Sequence, residues 1–283
     1  MPTAMHTVEE IRFEQLVERY EVLLLDAYGV LVHSSGALPG AARRMDELQR
    51  AGKEFFILTN DASKLPEAAA ERYRRYGVAL PAERIITSGM LLAHHFAAHG
   101  LVGKRCAVLG PPGSAHYVER AGGVVVGADQ PFEVVVIGDE AGFPFFDTVD
   151  AVLTGLYRRL DAGEPVALVL PNPDLVYPKD AGAFGLTSGA VALMLEAALQ
   201  VRYPQRKDLR FARLGKPQRA MFEEALRRSG SRDMVMIGDQ LETDIQGANG
   251  FGLDSVLFTG GLTHANLVLD HTRPRPTFRL HAL

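Results

Sequence analysis

Aspartates close two apolar segments of the chain, where each segment gives way to polar residues. Asp26 ends VLLLD, and Asp239 ends MVMIGD, with Asp244 five residues further on. Carboxylates at two strand ends can hold a hard dication, because Mg²⁺ takes oxygen ligands from one or two carboxylates together with substrate phosphate and water. The pattern therefore predicts a site where Mg²⁺ and a phosphorylated ligand bind together.

Groups that suit a phosphoryl ligand occur at two further places. The segment FILTN ends at Thr59 and Asn60, and Lys216 lies in GKPQ, just before a predicted helix start. Hydroxyl, amide and ammonium groups can all donate to phosphoryl oxygens, and the ammonium bond is charge-assisted. Each short motif alone is weak, since polar residues are common in the turns after strands. Their occurrence together and in this order indicates phosphoryl chemistry.

The elements that position these residues are predicted to be strands buried on both faces. Their apolar character is continuous rather than alternating, which is typical of a parallel sheet. The predicted strands are 22–26, 54–60, 84–88, 105–110, 132–139, 165–172 and 233–239. Amphipathic helices are predicted at 39–52, 65–77 and 217–230. Alternation of strands and helices predicts an α/β fold with a doubly wound sheet, whose ligand site lies at the carboxyl ends of the strands.

Composition limits the classes of partner. The 283 residues carry a net charge of −4, which gives no general attraction to nucleic acid or acidic membranes. The only cysteine, Cys106, cannot form a disulfide within the chain. No apolar stretch approaches the ~18 residues of a transmembrane helix, and the first residues include acids where a signal peptide is basic. We expect a cytoplasmic protein without nucleic-acid or membrane partners.

The motifs together resemble the haloacid dehalogenase (HAD) superfamily. Asp26 within D-x-x-G-V, Thr59, Lys216 and the G-D-x-x-x-T-D that ends at Asp244 are similar to its four motifs. Finer features resemble its class IIA branch, the NagD-like and p-nitrophenyl or pyridoxal phosphate phosphatases. These features are LPGA at 38–41, LTNDASK at 58–64, NPDLVYP at 172–178 and G-K-P at 215–217.

The resemblance implies a particular domain organisation. A Rossmann-like core with a doubly wound parallel sheet would comprise residues 1–88 and 206–283. An inserted α/β cap domain would comprise residues 89–205, and two copies of the chain would form a homodimer through it.

The resemblance also implies roles for the acidic residues. Asp26 is similar to the nucleophile that forms an aspartyl-phosphate. Asp26, Asp239 and the carbonyl of Tyr28 would bind Mg²⁺, with Asp244 in the outer shell orienting a water molecule on the metal. Such a metal neutralises phosphate so that one anion can attack another.

The phosphate contacts complete the function that the resemblance implies. Thr59, the Asn60 amide and Lys216 would hold the phosphoryl group as charge develops on it, a role for fixed donors in a dry cleft. The expected activity is that of a Mg²⁺-dependent phosphohydrolase acting on a small phosphorylated metabolite.

Tyr28 departs from the family pattern. The phosphatases of the family carry a second aspartate there, which protonates the leaving group and then activates water. Tyrosine, with a pKa near 10, could donate a proton but is a poor base. Loss of a positioned acid/base costs roughly 10²–10⁴ in rate, least for good leaving groups such as aryl phosphates. His33 and Asp61, close to the motifs, are candidate replacements.

Two other functions fit the same residues. Tyrosine at this position also resembles the haloacid dehalogenases, which attack carbon with the same nucleophile and without a metal. The aspartates Asp239 and Asp244 and the class IIA features favour the phosphatase over this alternative. A catalytically silent protein that binds a phosphorylated ligand is the third hypothesis.

Overall fold

The computed structural model describes residues 8–180, 183–260 and 273–283. The strands that it contains are β1 (Glu9–Glu10), β2 (Val22–Leu25), β3 (Val32–His33), β4 (Gly36–Ala37), β5 (Glu54–Thr59), β6 (Ile85–Thr87), β7 (Arg105–Leu109), β8 (Val124–Val126), β9 (Val134–Ile137), β10 (Ala167–Leu170), β11 (Val176–Asp180), β12 (Ala183–Leu186), β13 (Ala212–Arg213), β14 (Met234–Gly238), β15 (Asp254–Phe258) and β16 (Phe278–Leu280).

Helices connect most of these strands. They are α1 (Phe13–Arg19), α2 (Ala41–Arg50), α3 (Pro66–Arg75), α4 (Leu91–Ala98), α5 (Pro112–Arg120), α6 (Phe145–Asp161), α7 (Ser188–Arg202), α8 (Arg219–Ser229) and α9 (Gln246–Phe251). Short 3₁₀ turns occupy Ala82–Arg84 and Ser88–Met90, and a π-helical turn occupies Leu241–Ile245. Among the described residues, no helix is both long and apolar enough to cross a membrane.

The main sheet has seven parallel strands in the order β1-β16-β15-β14-β2-β5-β6. From β2 the chain adds β5 and β6 on one side, and later adds β14, β15 and β16 on the other. The order therefore reverses between β2 and β14, and such a switch point is where open α/β sheets bind ligands. Asp26 and Asp239 directly follow these two strands.

Both faces of the main sheet are buried, as the continuous apolar runs predict. In β2, Leu25 packs into a cluster that includes Met45 of α2, while Leu24 faces the other way and packs with Phe222 of α8. Full burial of a leucine side chain contributes roughly 1.5–3 kcal/mol. The doubly wound α/β fold is confirmed, and the strand ends that carry the polar residues are anchored in a packed layer.

The chain forms a second sheet after β6 and before β14, between the two sequence segments that build the main sheet. Its five strands are parallel, in the order β13-β10-β9-β7-β8. We propose that this sheet and its helices form the cap. The sheet extends to Arg213, beyond the expected end of the cap at residue 205, so the proposed return to the core follows Arg213.

The seven predicted strands and three predicted helices are present. The strands β15 and β16, which extend the main sheet beyond β14, were not predicted. Two antiparallel hairpins, β3–β4 and β11–β12, were not predicted either.

Candidate active site

Asp26 and Asp239 meet at the switch point because each directly follows one of two adjacent parallel strands, β2 and β14. The backbone N–H of Asp26 donates to the carbonyl of Ile237, 2.9 Å away, and ties the end of β2 to β14. Gly29 follows in the left-handed region, with φ of 90°. A Cβ atom at Gly29 would lie 2.1 Å from Oδ2 of Asp239. Glycine is required twice here, once for its backbone conformation and once for the space that the carboxylate fills.

Three carboxylates converge at this point. One oxygen from each of Asp26, Asp239 and Asp244 lies within 4.8 Å of the other two, and all three residues are buried. The π-helical turn places Asp244, whose Oδ2 accepts a hydrogen bond from the backbone N–H of Gln240 at 3.2 Å. Buried like charges repel one another, and a hard dication prefers carboxylate oxygens. The three carboxylates therefore form a donor set that fits Mg²⁺.

Lys216 supplies a positive charge inside the cluster. Its Nζ donates to Oδ1 of Asp26 at 2.6 Å and to Oδ1 of Asp244 at 2.7 Å, and the side chain is only 2% exposed. Burial lowers the pKa of Lys216, but the two carboxylates outweigh it and raise the pKa above its ordinary value. Burial raises the pKa of Asp26, and the ammonium of Lys216 opposes this rise. Lys216 is held charged, in contact with the expected nucleophile.

Asn60 holds the backbone of Lys216. Its Oδ1 accepts from the N–H of Lys216 at 2.8 Å, and its Nδ2 donates to the carbonyl of Lys216 at 3.1 Å and to Oδ1 of Asp174 at 2.8 Å. Gly215 makes room, since a Cβ there would lie 2.4 Å from Oδ1 of Asn60. These bonds occupy the side-chain amide that we expected to contact phosphate, so any such contact falls to the backbone N–H of Asn60.

Asp174 was not selected as a site residue from the sequence, although it lies in the NPDLVYP segment. It lines the cavity, and burial raises the pKa of its carboxyl to about 6. Its bond to Asn60 joins residues 114 positions apart. No local pattern reports such a contact, and the family resemblance of the segment assigned no role to Asp174.

A cavity of about 260 Å³ opens beside the carboxylates. Asp26, Tyr28 and Thr59 line it from the main sheet, while Asp139 and Glu140 line it from the end of β9 in the second sheet. Each of the residues predicted for phosphate binding is buried: Thr59 is 3% exposed and Asn60 5%. The space suits a small ligand at the carboxyl ends of both sheets.

Tyr28 also lines this cavity. The guanidinium carbon of Arg72 lies 5.5 Å from the centre of its ring. Burial raises the pKa of the Tyr28 phenol above its ordinary value, against the opposing charge of Arg72. The side chain is therefore a weaker acid than a solvated tyrosine, and at neutral pH it carries its proton and cannot serve as a base.

Neither residue considered as a replacement acid suits that task. Oδ1 of Asp61 accepts from the N–H and Oγ of Ser63, both at 2.7 Å, and from the N–H of Lys64 at 3.1 Å, while Nζ of Lys64 lies 3.4 Å from Oδ2. Asp61 therefore shapes the loop after β5. His33 bonds to Ser35 in the β3–β4 hairpin and is not among the residues that line the cavity.

Comparison with known proteins assigns the family. Residues 23–123 match the model of haloacid dehalogenase-like hydrolases, and residues 213–283 match the HAD-hydrolase-like model. A solved structure of a possible sugar phosphatase of the HAD superfamily from Cytophaga hutchinsonii superposes with a TM-score of 0.83. It is 30% identical, and the alignment covers 98% of each chain. The chain therefore belongs to the haloacid dehalogenase-like hydrolases.

Two further relatives refine this membership. The dihydroxyacetone phosphatase of Corynebacterium glutamicum is 29% identical over 85% of this chain and 81% of its own length. The glycerol phosphate phosphatase Rv1692 of Mycobacterium tuberculosis, solved with magnesium, superposes with a TM-score of 0.76 at 24% identity over 94% of this chain and 76% of its own, which shows a shared fold. The predicted class of enzyme, a hydrolase of the phosphatase branch of this family, is confirmed.

Proposed function

We propose that the chain is a Mg²⁺-dependent phosphohydrolase that acts on a small phosphorylated metabolite through an aspartyl-phosphate. One observation carries the proposal: three buried carboxylates and Lys216 converge at the switch point of the main sheet, beside a cavity. A nucleophilic carboxylate splits one difficult displacement into two easier ones.

We assign each residue a role from its chemistry and its place in the site. Asp26 attacks phosphorus with one carboxylate oxygen, while Lys216 holds the other and balances charge. The hydroxyl of Thr59 and the backbone N–H of Asn60 donate to phosphoryl oxygens. Asp26, Asp239 and the carbonyl of Tyr28 would hold Mg²⁺, which would supply the charge that lets a carboxylate approach an anionic phosphate. Asp244 fixes Lys216 and orients water for the second step.

The proposed substrate is a sugar phosphate or a three-carbon phosphate. The cavity of about 260 Å³ accommodates a ligand of this size, and its lining is rich in polar side chains. The relatives support the class: one is a dihydroxyacetone phosphatase and another a possible sugar phosphatase.

The test is phosphate release from p-nitrophenyl phosphate by the purified protein. We expect release with Mg²⁺, none in EDTA, and none from Asp26→Asn. Asp208→Asn is a matched control, because Asp208 pairs with Arg206 on the surface. Wild-type activity in Asp26→Asn would refute the assigned nucleophile. Halide release from 2-haloacids in EDTA would favour the dehalogenase alternative, and stabilisation by phosphorylated ligands without turnover would favour the silent binder.

A homodimer through the cap is part of the same proposal. Apolar side chains on the β11–β12 hairpin and on α7 are exposed, among them Phe184 at 58%, Leu186 at 67% and Val201 at 85%. Such residues favour an interface. Light scattering should give the mass of two chains, and of one chain for Leu186→Glu, if this surface is the contact.

A further inference from the structure

The proposed function requires a proton for the leaving group, and the phenol of Tyr28 is poorly suited to give it. We propose that Glu140, from the second sheet, is the general acid of the first step and the general base of the second. This inference rests on the proposed function. Glu140 lines the cavity together with Asp26 and Tyr28.

The turn that carries Glu140 is fixed against the catalytic loop of the main sheet. It follows β9, a central strand of the second sheet, and Gly138 in this turn packs closely on its neighbours. A Cβ atom at Gly138 would lie 2.5 Å from Oγ of Ser114 and 3.3 Å from the carbonyl oxygen of Ala62. Oγ of Ser114 donates to that same carbonyl at 2.9 Å. Ala62 is three residues after Thr59, so the turn abuts the loop that begins at the phosphate site.

Hydrogen bonding distinguishes Glu140 from the other carboxyl groups that line the cavity away from the cluster. Asp61 accepts from Ser63 and Lys64, and Asp174 accepts from Asn60. Asp139 accepts from the N–H of Ala141 at 3.0 Å. Of the residues that the structure describes, none other than Glu140 itself donates a hydrogen bond to the Glu140 carboxylate or forms an ion pair with it. Its oxygens are available to a ligand.

The surroundings of Glu140 suit proton transfer near neutral pH. Burial, followed by the charge of Asp139, raises the pKa of Glu140 to about 7, with Asp61 adding to the rise and Lys64 opposing it. Tyr177, on the β11–β12 hairpin, lines the same cavity, and burial together with the charges of Glu140 and Asp139 raises its pKa. A carboxyl group with a pKa close to the working pH can both donate and accept a proton.

The two steps balance in atoms and charge. In the first, an oxygen of Asp26 bonds to phosphorus, the bond from phosphorus to the leaving oxygen breaks, and that oxygen takes the proton of Glu140. In the second, water attacks phosphorus, its proton passes to the Glu140 carboxylate, and the bond to Asp26 breaks. Inorganic phosphate leaves, and both side chains return to their starting states.

The experiment compares Glu140→Gln with wild type in Mg²⁺, using glycerol 3-phosphate and p-nitrophenyl phosphate. The alkyl substrate needs a proton donor, so we expect its kcat to fall by roughly 10²–10⁴. The aryl substrate, whose leaving group needs no proton, should give a rapid burst of about one nitrophenolate per active site and then slow turnover. Glu133→Gln is the matched control, because Glu133 lies at the other end of β9 and pairs with Lys104.

The pH profile is a second, independent readout. In wild type, kcat/KM for glycerol 3-phosphate should fall as pH rises through about 7, where Glu140 loses its proton, and Glu140→Gln should lack this limb. Wild-type kcat of Glu140→Gln on the alkyl substrate, or an unchanged limb, would overturn the assignment. Failure of the proposed function is distinct, because wild type would then release no nitrophenolate at all, and the inference would fall with it.

Discussion

The substitution Lys216→Met tests the electrostatics of the cluster most severely. It replaces a buried ammonium by an apolar chain of similar length and leaves Asp26 and Asp244 without their shared partner. Removing one member of a buried ion pair typically costs 3–5 kcal/mol, because an uncompensated charge stays buried. Against a total stability of roughly 5–15 kcal/mol for a domain, this is a large fraction. We therefore expect the free energy of unfolding to fall by about 3–5 kcal/mol.

The assay is urea unfolding in EDTA, followed by circular dichroism. Lys216→Met combined with Asp244→Asn should recover part of the lost stability, because only one of the two negative charges then remains without a partner. Arg206→Met removes an exposed partner of Asp208 and should change stability little, as surface pairs contribute little. If Lys216→Met unfolds at the wild-type urea concentration, the cluster does not depend on the ammonium and the reasoning is wrong.

Three further predictions address the surrounding residues. Gly29→Ala should abolish Mg²⁺-dependent phosphate release and lower the free energy of unfolding in urea by at least about 1–2 kcal/mol. The φ of Gly29 is positive, and the new Cβ would meet Asp239. Normal activity of the variant would contradict this prediction. Asp174→Ala should lower kcat, because it releases the side chain of Asn60. Asp174→Asn should keep kcat close to that of wild type, because its side-chain oxygen still accepts the hydrogen bond from Asn60. Equal kcat in both variants would count against the contact. Tyr28→Asp should raise kcat on glycerol 3-phosphate by much less than the ~10²–10⁴ of a missing acid, because Glu140 already serves; a gain of that full size would show that it does not.

The strand ends of the site could be predicted from the sequence because the side-chain chemistry changes abruptly there, from apolar to acidic. Leu25 is buried and Asp26 follows it; Gly238 closes β14 and Asp239 follows it. A parallel sheet brings such ends to one edge, so the pattern alone predicts that the aspartates meet. The strand order was needed to show that they are on adjacent strands.

The second sheet's contribution could not be predicted in the same way. Glu140 and Asp174 reach the cavity through the packing of two sheets, and the bond between Asn60 and Asp174 spans 114 positions. Hydrophobic periodicity reports which face of an element is buried, and it carries no information about which distant side chain opposes it. For the same reason, the sequence could not show that the side-chain amide of Asn60 supports Lys216 rather than phosphate.

Short elements were missed for a different reason. β16 has three residues and the β3 and β4 strands have two each, which is too short for a period to be recognised. The β16 strand forms beside a longer neighbour: Phe278 and Leu280 pair with Val256 and Phe258 of β15. The β3 and β4 strands pair only with each other, in a hairpin.

Direct detection of a phosphoryl group on Asp26 tests the central claim most closely. The enzyme is mixed with p-nitrophenyl phosphate and Mg²⁺, quenched in acid during turnover, and analysed by peptide mass spectrometry. The Glu140→Gln variant, in which the second step is expected to be slow, should accumulate the species. The proposed mechanism predicts the added mass of one phosphoryl group on the peptide that contains Asp26, and none in Asp26→Asn. Turnover without that modification in any quenched sample, or wild-type turnover by Asp26→Asn, would contradict it.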